Sequence, residues 1–295
     1  MFEMDIEKLI RILKIQSESG NQFRIFAYII RITKSISGCT IDMENGNVYI
    51  TKGKANSYPC IVAHMDTVHQ IAEDLSILKV GQYLTGFNTV RMQQAGIGGD
   101  DKVGIFIALE CLEKFENIKV AFFRDEETGC EGSYLADVGF FDDCSFVLQC
   151  DRKGRKDFIT EINGIPLSSK KFQKSIYGLL RNYGYSYCKG LMTDVMALKH
   201  IGITCSAANI SCGYYNPHTN YEYVNIADVE NCLSLVVSII YKFGAKSFPH
   251  EFTAPSHFYL ANNSLQDYCI DCSEPCSTIT GYCESCIAYY EDEAL

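Results

Sequence analysis

The chain has 295 residues, 47% of them apolar, and a formal net charge of −10. That is enough apolar chain for one large α/β domain, alone or with an appendage, and the acidic balance excludes a general affinity for nucleic acid or anionic membranes. No segment has the uninterrupted apolar run of a membrane span or a signal peptide, so the cytoplasm is the expected compartment.

The first segment, Asp5 to Ile36, reads as two helices broken near Ser17–Asn21, with Leu9, Ile10, Ile12 and Leu13 on one apolar face and Phe26, Ile29, Ile30 and Ile32 on another. CTIDM and VYITK then flank the turn Glu44-Asn45-Gly46-Asn47, a hairpin signature. YPCIVAH is an apolar strand of the kind that fills a parallel sheet, followed by a less regular stretch to Gln94. From Gly96 strands and helices alternate. AGIGGDDKVG is a glycine-rich turn, IFIALECLEKF a helix, IKVAFFRDEE a strand, GCEGSYLAD a turn with a short helix, and CSFVLQCD a strand. SSKKFQKSIYGLLRNYG and TDVMALKHIG read as helices, ITCSAANIS as a strand, and IADVENCLSLVVSIIYKFG as a final helix closed by Gly244. The pattern predicts a three-layer α/β/α sandwich with a mixed, largely parallel central sheet. A composition change after residue 247 sets a boundary between a main domain, 1–247, and a Cys-rich tail, 248–295.

Several apolar strands end in metal-ligand chemistry, at the sheet edge where α/β proteins bind ligands. These ends carry His64 with Asp66, then Asp100 and Asp101, then Asp125, Glu126 and Glu127, then Asp151, and finally His218 with Glu222. Each alone has a plainer explanation: Asp101 could cap the helix from Lys102, and Glu126-Glu127 could be a solvated turn. Their recurrence decides otherwise, because converging buried carboxylates require cations. Imidazoles mixed with carboxylates suit zinc, manganese or cobalt, and the ligands suffice for two ions sharing one carboxylate and clamping a water. Both glutamates can serve the site only where the strand bends, at Thr128, Gly129 and Gly132; one then ligates and the other acts as general base.

AHMDTV, GIGGDDKVG, DEETGCEGS, QCD and CGYYNPHTNYEYV, in this order, resemble the motifs of the di-zinc exopeptidases (clan MH zinc peptidases) that include peptidase T, glutamate carboxypeptidase and aminoacylase. The resemblance runs from about residue 5 to residue 246. It implies two active-site zinc ions, with cobalt or manganese as substitutes. His64 and Asp151 would hold one ion, His218 and Glu127 the other, and Asp100 would bridge them. Glu126 would be the general base, Asp66 would orient His64, and the Asp100–Asp101 peptide would be cis. Thr193 and Asp194 resemble a pair beside the family's substrate pocket, although a helix cap explains them equally well; Asn216 is a third pocket candidate, able to support the His218 loop. His69, His200, His250 and His257 match no ligand position. Two-domain members insert a lid between the equivalents of Asp151 and His218, where this chain has little spare length, so a lid-less variant is expected. The family's lid mediates dimerisation, and oligomerisation is therefore left unassigned.

Ten of the fifteen cysteines are scattered among apolar neighbours, as in a reducing compartment. In the tail, Cys269, Cys272, Cys283 and Cys286, with Cys276 between them, resemble a small zinc ribbon that would hold a third, structural zinc. The expected activity is a cytoplasmic metal-dependent exopeptidase or aminopeptidase cleaving short peptides. The alternatives are an N-acyl amino acid deacylase on the same site and a non-catalytic zinc-binding scaffold.

Overall fold

The computed structural model describes residues 4–72 and 74–251, so the candidate zinc ribbon lies outside the described residues. Helices α1 (Ile6–Lys14) and α2 (Phe23–Ser35) flank the expected break, and Asp5 caps α1 by accepting the Lys8 amide at 2.8 Å. Strands β1 (Cys39–Glu44) and β2 (Asn47–Lys52) form the hairpin, with Asn45 and Gly46 at φ 53° and 76°, as a type I′ turn requires. Next come β3 (Tyr58–His64), β4 (Leu75–Val80), β5 (Tyr83–Asn88) and β6 (Gln93–Ala95). The chain continues through α3 (Gly99–Lys114), β7 (Ile118–Phe123), α4 (Glu131–Tyr134) and β8 (Cys144–Arg152). Then follow β9 (Asp157–Ile162), β10 (Ile165–Pro166), α5 (Lys170–Tyr183), β11 (Ser186–Gly190) and α6 (Asp194–Ile201). The last elements are β12 (Ser206–Ser211), β13 (Tyr214–Tyr215), β14 (Tyr223–Asn225) and α7 (Ile226–Phe243).

The main sheet runs β1-β2-β7-β3-β8-β12-β9-β10, with β11 beside β9. Its centre, β7-β3-β8-β12, is parallel throughout. Every residue of β3, β7 and β12 is buried, which accounts for the apolar runs CIVA in β3 and VAFF in β7. Alternation along β3 divides two apolar layers. Ile61 and Ala63 pack with α1, α2, α3, α5 and α7, while Cys60 and Val62 face α6. The expected α/β/α sandwich is therefore the observed fold. Helix α3 is buried nearly all round, between the sheet and helices α1 and α7, and its sequence is correspondingly apolar on every side.

The stretch to Gln94 is more regular than its sequence suggests. Strands β4, β5 and β6 join β13 and β14 in a second, five-stranded sheet. β14 pairs with β5, so this small sheet grips both ends of the loop carrying His218. The interval from Asp151 to His218 supplies β9, β11 and β12 to the main sheet and packs α5 and α6 on its two faces.

Packed chain continues to the end of the described residues. Phe248 is 1% exposed among Phe146, Phe172 and Phe243, and the His250 amide donates to the Thr204 carbonyl at 2.8 Å. Phe248→Ala should cost about 3–5 kcal/mol through the cavity it leaves, seen as a lower urea midpoint with unchanged slope.

Candidate metal centre

Parallel strands bring their carboxyl ends to one edge, and the titratable residues gather there. β3 ends on His64, the bend after β7 presents Glu126 and Glu127, and β8 carries Asp151. His218 comes from the β13–β14 loop, and Asp100 from a non-helical opening of α3 in which the Asp100–Asp101 peptide is cis.

Asp100 stands between the two imidazoles. Its Oδ1 is 3.2 Å from His64 Nε2 and its Oδ2 is 3.3 Å from His218 Nε2. Asp151 Oδ1 approaches His64 Nε2 at 3.7 Å, and Glu127 Oε1 approaches His218 Nε2 at 3.1 Å. The structure thus assembles two His-plus-carboxylate groups sharing Asp100, and Glu126 lines the same cavity of about 230 Å³.

Asp66 holds this arrangement from below. Its carbonyl oxygen lies 3.0 Å from His64 Nδ1 and its Oδ1 3.3 Å away, which leaves Nε2 directed at Asp100. The same carboxylate accepts the Glu126 amide at 2.9 Å, the Glu127 amide at 3.2 Å and the Ser19 hydroxyl at 2.7 Å. Consecutive glutamates reach one site because Asp125 is left-handed (φ 50°) and the turn folds back so closely that a Cβ on Gly132 would lie 2.5 Å from the Arg124 carbonyl oxygen. Asp66→Asn should weaken metal binding about 10–100-fold, as measured by competition with a chromophoric chelator.

Other expectations are redistributed. Both Asp101 oxygens are engaged by backbone, Oδ1 by the Gly104 amide at 3.0 Å and Oδ2 by the His64 amide at 3.3 Å, so its nearness to His64 and Asp151 reflects a helix cap. Thr193 does line the cavity, donating to Asp151 Oδ2 at 2.8 Å. Asp194 does not: it is wholly buried, with Oδ2 accepting from Gln149 Nε2 at 3.1 Å. Asn216 is also outside the cavity lining; its carbonyl accepts the Thr219 hydroxyl at 2.8 Å and shapes the exposed loop. His69 has a partner that the sequence did not suggest, Glu222 Oε2 at 2.7 Å. Glu222 also accepts the Gly98 amide at 2.8 Å and the Asp100 amide at 3.1 Å, so it anchors the turn that presents Asp100. Gln149 and Tyr214 were likewise missed; both donate to Asp151, at 3.0 and 3.2 Å.

The electrostatics indicate a site that requires positive charge. Burial, then repulsion from Asp151, Asp194 and Glu127, pushes Glu126 up to about 9. Burial and the Asp100 and Asp151 charges push Glu127 up to about 8, and burial with Asp100 raises Asp151 to about 6. Burial alone would lower His64, but hydrogen bonds to Asp100, Asp151 and Asp66 raise it well above the usual histidine range. The bond to Asp100 raises His218 to about 9. Burial opposes ionisation of Asp100, yet the two imidazoles hold it well below the usual carboxylate range. Glu127 Oε1 is buried, and beyond its ion-pair contact with His218 Nε2 it has no hydrogen bond among the described residues. Protons and imidazolium charges occupy the role that cations would fill, and the mixed nitrogen and oxygen donors fit zinc, manganese or cobalt.

The fold is of a class shared with solved peptidases. One is an aminopeptidase PepT from Bacillus cereus, 12% identical, with the match covering 80% of this chain and 96% of that one at a TM-score of 0.63. A tripeptidase from Staphylococcus aureus is 14% identical, covering 80% and 96% at 0.64. An aminopeptidase from the archaeon Desulfurococcus kamchatkensis is 16% identical, covering 81% and 95% at 0.62. No protein-family model matches the sequence, and no curated protein matches it. Among the described residues no helix is long and apolar enough to cross a membrane.

Proposed function

We propose that the chain is a lid-less, metal-dependent exopeptidase that hydrolyses short peptides. The observation that carries this reading is Asp100, whose two oxygens face different imidazoles at 3.2 and 3.3 Å. His64, Asp151 and Asp100 would hold one ion, and His218, Glu127 and Asp100 a second, with zinc the natural occupant. Bound there, the ions supply Lewis acidity, polarising the scissile carbonyl and lowering the pKa of water.

The chain's own residues handle the proton. Glu126 accepts a proton from the attacking water as the water oxygen bonds to the carbonyl carbon. The C–N bond then breaks and Glu126 passes that proton to the leaving amine, so the carboxylate is regenerated. Asp66 keeps Glu126 in place through its amide, and a thiol from Cys130 approaches Glu126 Oε1 at 3.5 Å. A cavity of about 230 Å³ suits one terminal residue and its neighbour rather than a folded chain. Peptidases of the same fold support the choice of substrate. The small sheet supports the His218 loop, and the ten described cysteines, eight of them buried, are free thiols, which favours a reducing compartment, the cytoplasm.

The competing reading is a deacylase acting on N-acyl amino acids. Comparing di- and tripeptides with their N-acetylated forms separates the two. The exopeptidase reading expects cleavage of a peptide bond in the free-amine series; release of acetate alone would overturn it.

A further inference from the structure

A second cavity, of about 480 Å³, shares His218 with the first and runs beneath the small sheet. Its wall contains donors that the fold leaves unmet. Lys102 is 2% exposed, and its ammonium makes one long bond among the described residues, to the Leu13 carbonyl at 3.4 Å. Ser17 is wholly buried, and its hydroxyl has no partner among the described residues. Space beside the ammonium is secured by Gly98, where a Cβ would stand 2.9 Å from Lys102 Nζ and 2.8 Å from Thr67 Cγ2. A buried ammonium and an unpartnered buried hydroxyl on residues that line one cavity call for an acceptor with negative charge.

Close to Lys102 the surroundings disfavour a second negative charge. Glu222 lies nearby, with its carboxylate held by His69 and by the Gly98 and Asp100 amides, and a dianion would be repelled by it. The rest of the lining adds the exposed cation Arg91 to amides and apolar groups such as Gln70, Asn220, Val68 and Ile97, and among the described residues it offers no carboxylate for a cationic ligand. We propose that this cavity binds a small monocarboxylate with an uncharged body, its carboxylate received by Lys102 and Ser17. His69, Glu222 and the Asp100 amide connect the ligand's wall to the metal centre. Any effect on turnover rests on the function proposed above; the binding does not.

Isothermal titration of the chelator-treated full chain tests this without reference to activity. N-acetylglycine should bind saturably, one per chain, while neutral N-acetylglycinamide and inorganic phosphate should bind at least about tenfold more weakly. Lys102→Met should weaken binding about tenfold or more, and Ser17→Ala severalfold. Met192→Arg, which obstructs the other cavity, should leave it unchanged. The proposal is overturned by absence of saturable binding, by equal affinity for the amide, or by loss of binding in Met192→Arg. It is also overturned by wild-type affinity in a folded Lys102→Met; should that variant not fold, Ser17→Ala and the amide comparison decide.

Discussion

Glu126→Gln is expected to keep its metal and lose about 10²–10⁴-fold in turnover, the range of a lost general base. The substitution preserves shape, and the backbone amide that binds Asp66 Oδ1 at 2.9 Å is untouched. It removes only the ability to take and return a proton. Glu127→Gln should behave differently. Glu127 lies 3.1 Å from His218 Nε2, so losing its charge should remove about one ion per chain as well as activity. Elemental analysis beside steady-state kinetics separates the two variants. Full activity in Glu126→Gln would reject its assignment as base.

The second large effect is on stability. Folding raises Glu126 to about 9, Glu127 to about 8 and Asp151 to about 6, and it raises both histidines, His218 to about 9. Acids and histidines raised on folding both make the native chain bind more protons than the unfolded chain, so native stability falls as pH rises through the window. That window opens near the ordinary glutamate value of 4.5 and extends to about 9. Asp66 and Asp100 shift the opposite way, but their window lies below their ordinary value of 3.8. Lys102 and Lys199, lowered to about 8 by burial, oppose the trend above that pH. His250, lowered to about 4 chiefly by burial, opposes it with His200 below 6.5, where the more numerous raised acids, Asp194 among them at about 7, outweigh the two. The metal-free protein should therefore melt at progressively lower temperature from about pH 5 to about pH 8. Metal replaces these protons, so loading should release them and should tighten as pH rises. Melting curves of the stripped protein, and calorimetric metal titrations in buffers of different ionisation heat, check both statements. A melting temperature that climbs with pH across that interval would contradict them.

Much of the site could be read from sequence because its residues interrupt apolar strands. His64 terminates a fully buried run, Asp151 follows FVLQC, and Glu126-Glu127 follow KVAFF, each a polar break where the core pattern ends. The supporting contacts left no such local mark. His69 and Glu222 are separated by 153 positions, and Thr193 and Asp151 by 42. Only the sheet's crossovers bring these partners together. The small sheet escaped for another reason. In β4, LSILKV is buried only at Leu75 and is increasingly exposed towards Val80, so it shows neither the alternation of a half-buried strand nor the solid run of a core strand. A Thr-Asp pair opening a helix looks alike in sequence whether it faces a pocket or the core. Here Thr193 meets the cavity, while Asp194 turns inward to Gln149.

The proposed activity is the cleavage of short peptides by these residues with the help of bound metal. Its most direct test is a digest of a defined peptide library by the zinc-loaded full chain, read by mass spectrometry with and without chelator. The expected result is stepwise loss of terminal residues from short peptides, abolished by chelator and restored by added zinc. Intact peptides after exposure to the metal-loaded protein, or cleavage indifferent to the chelator, would contradict it.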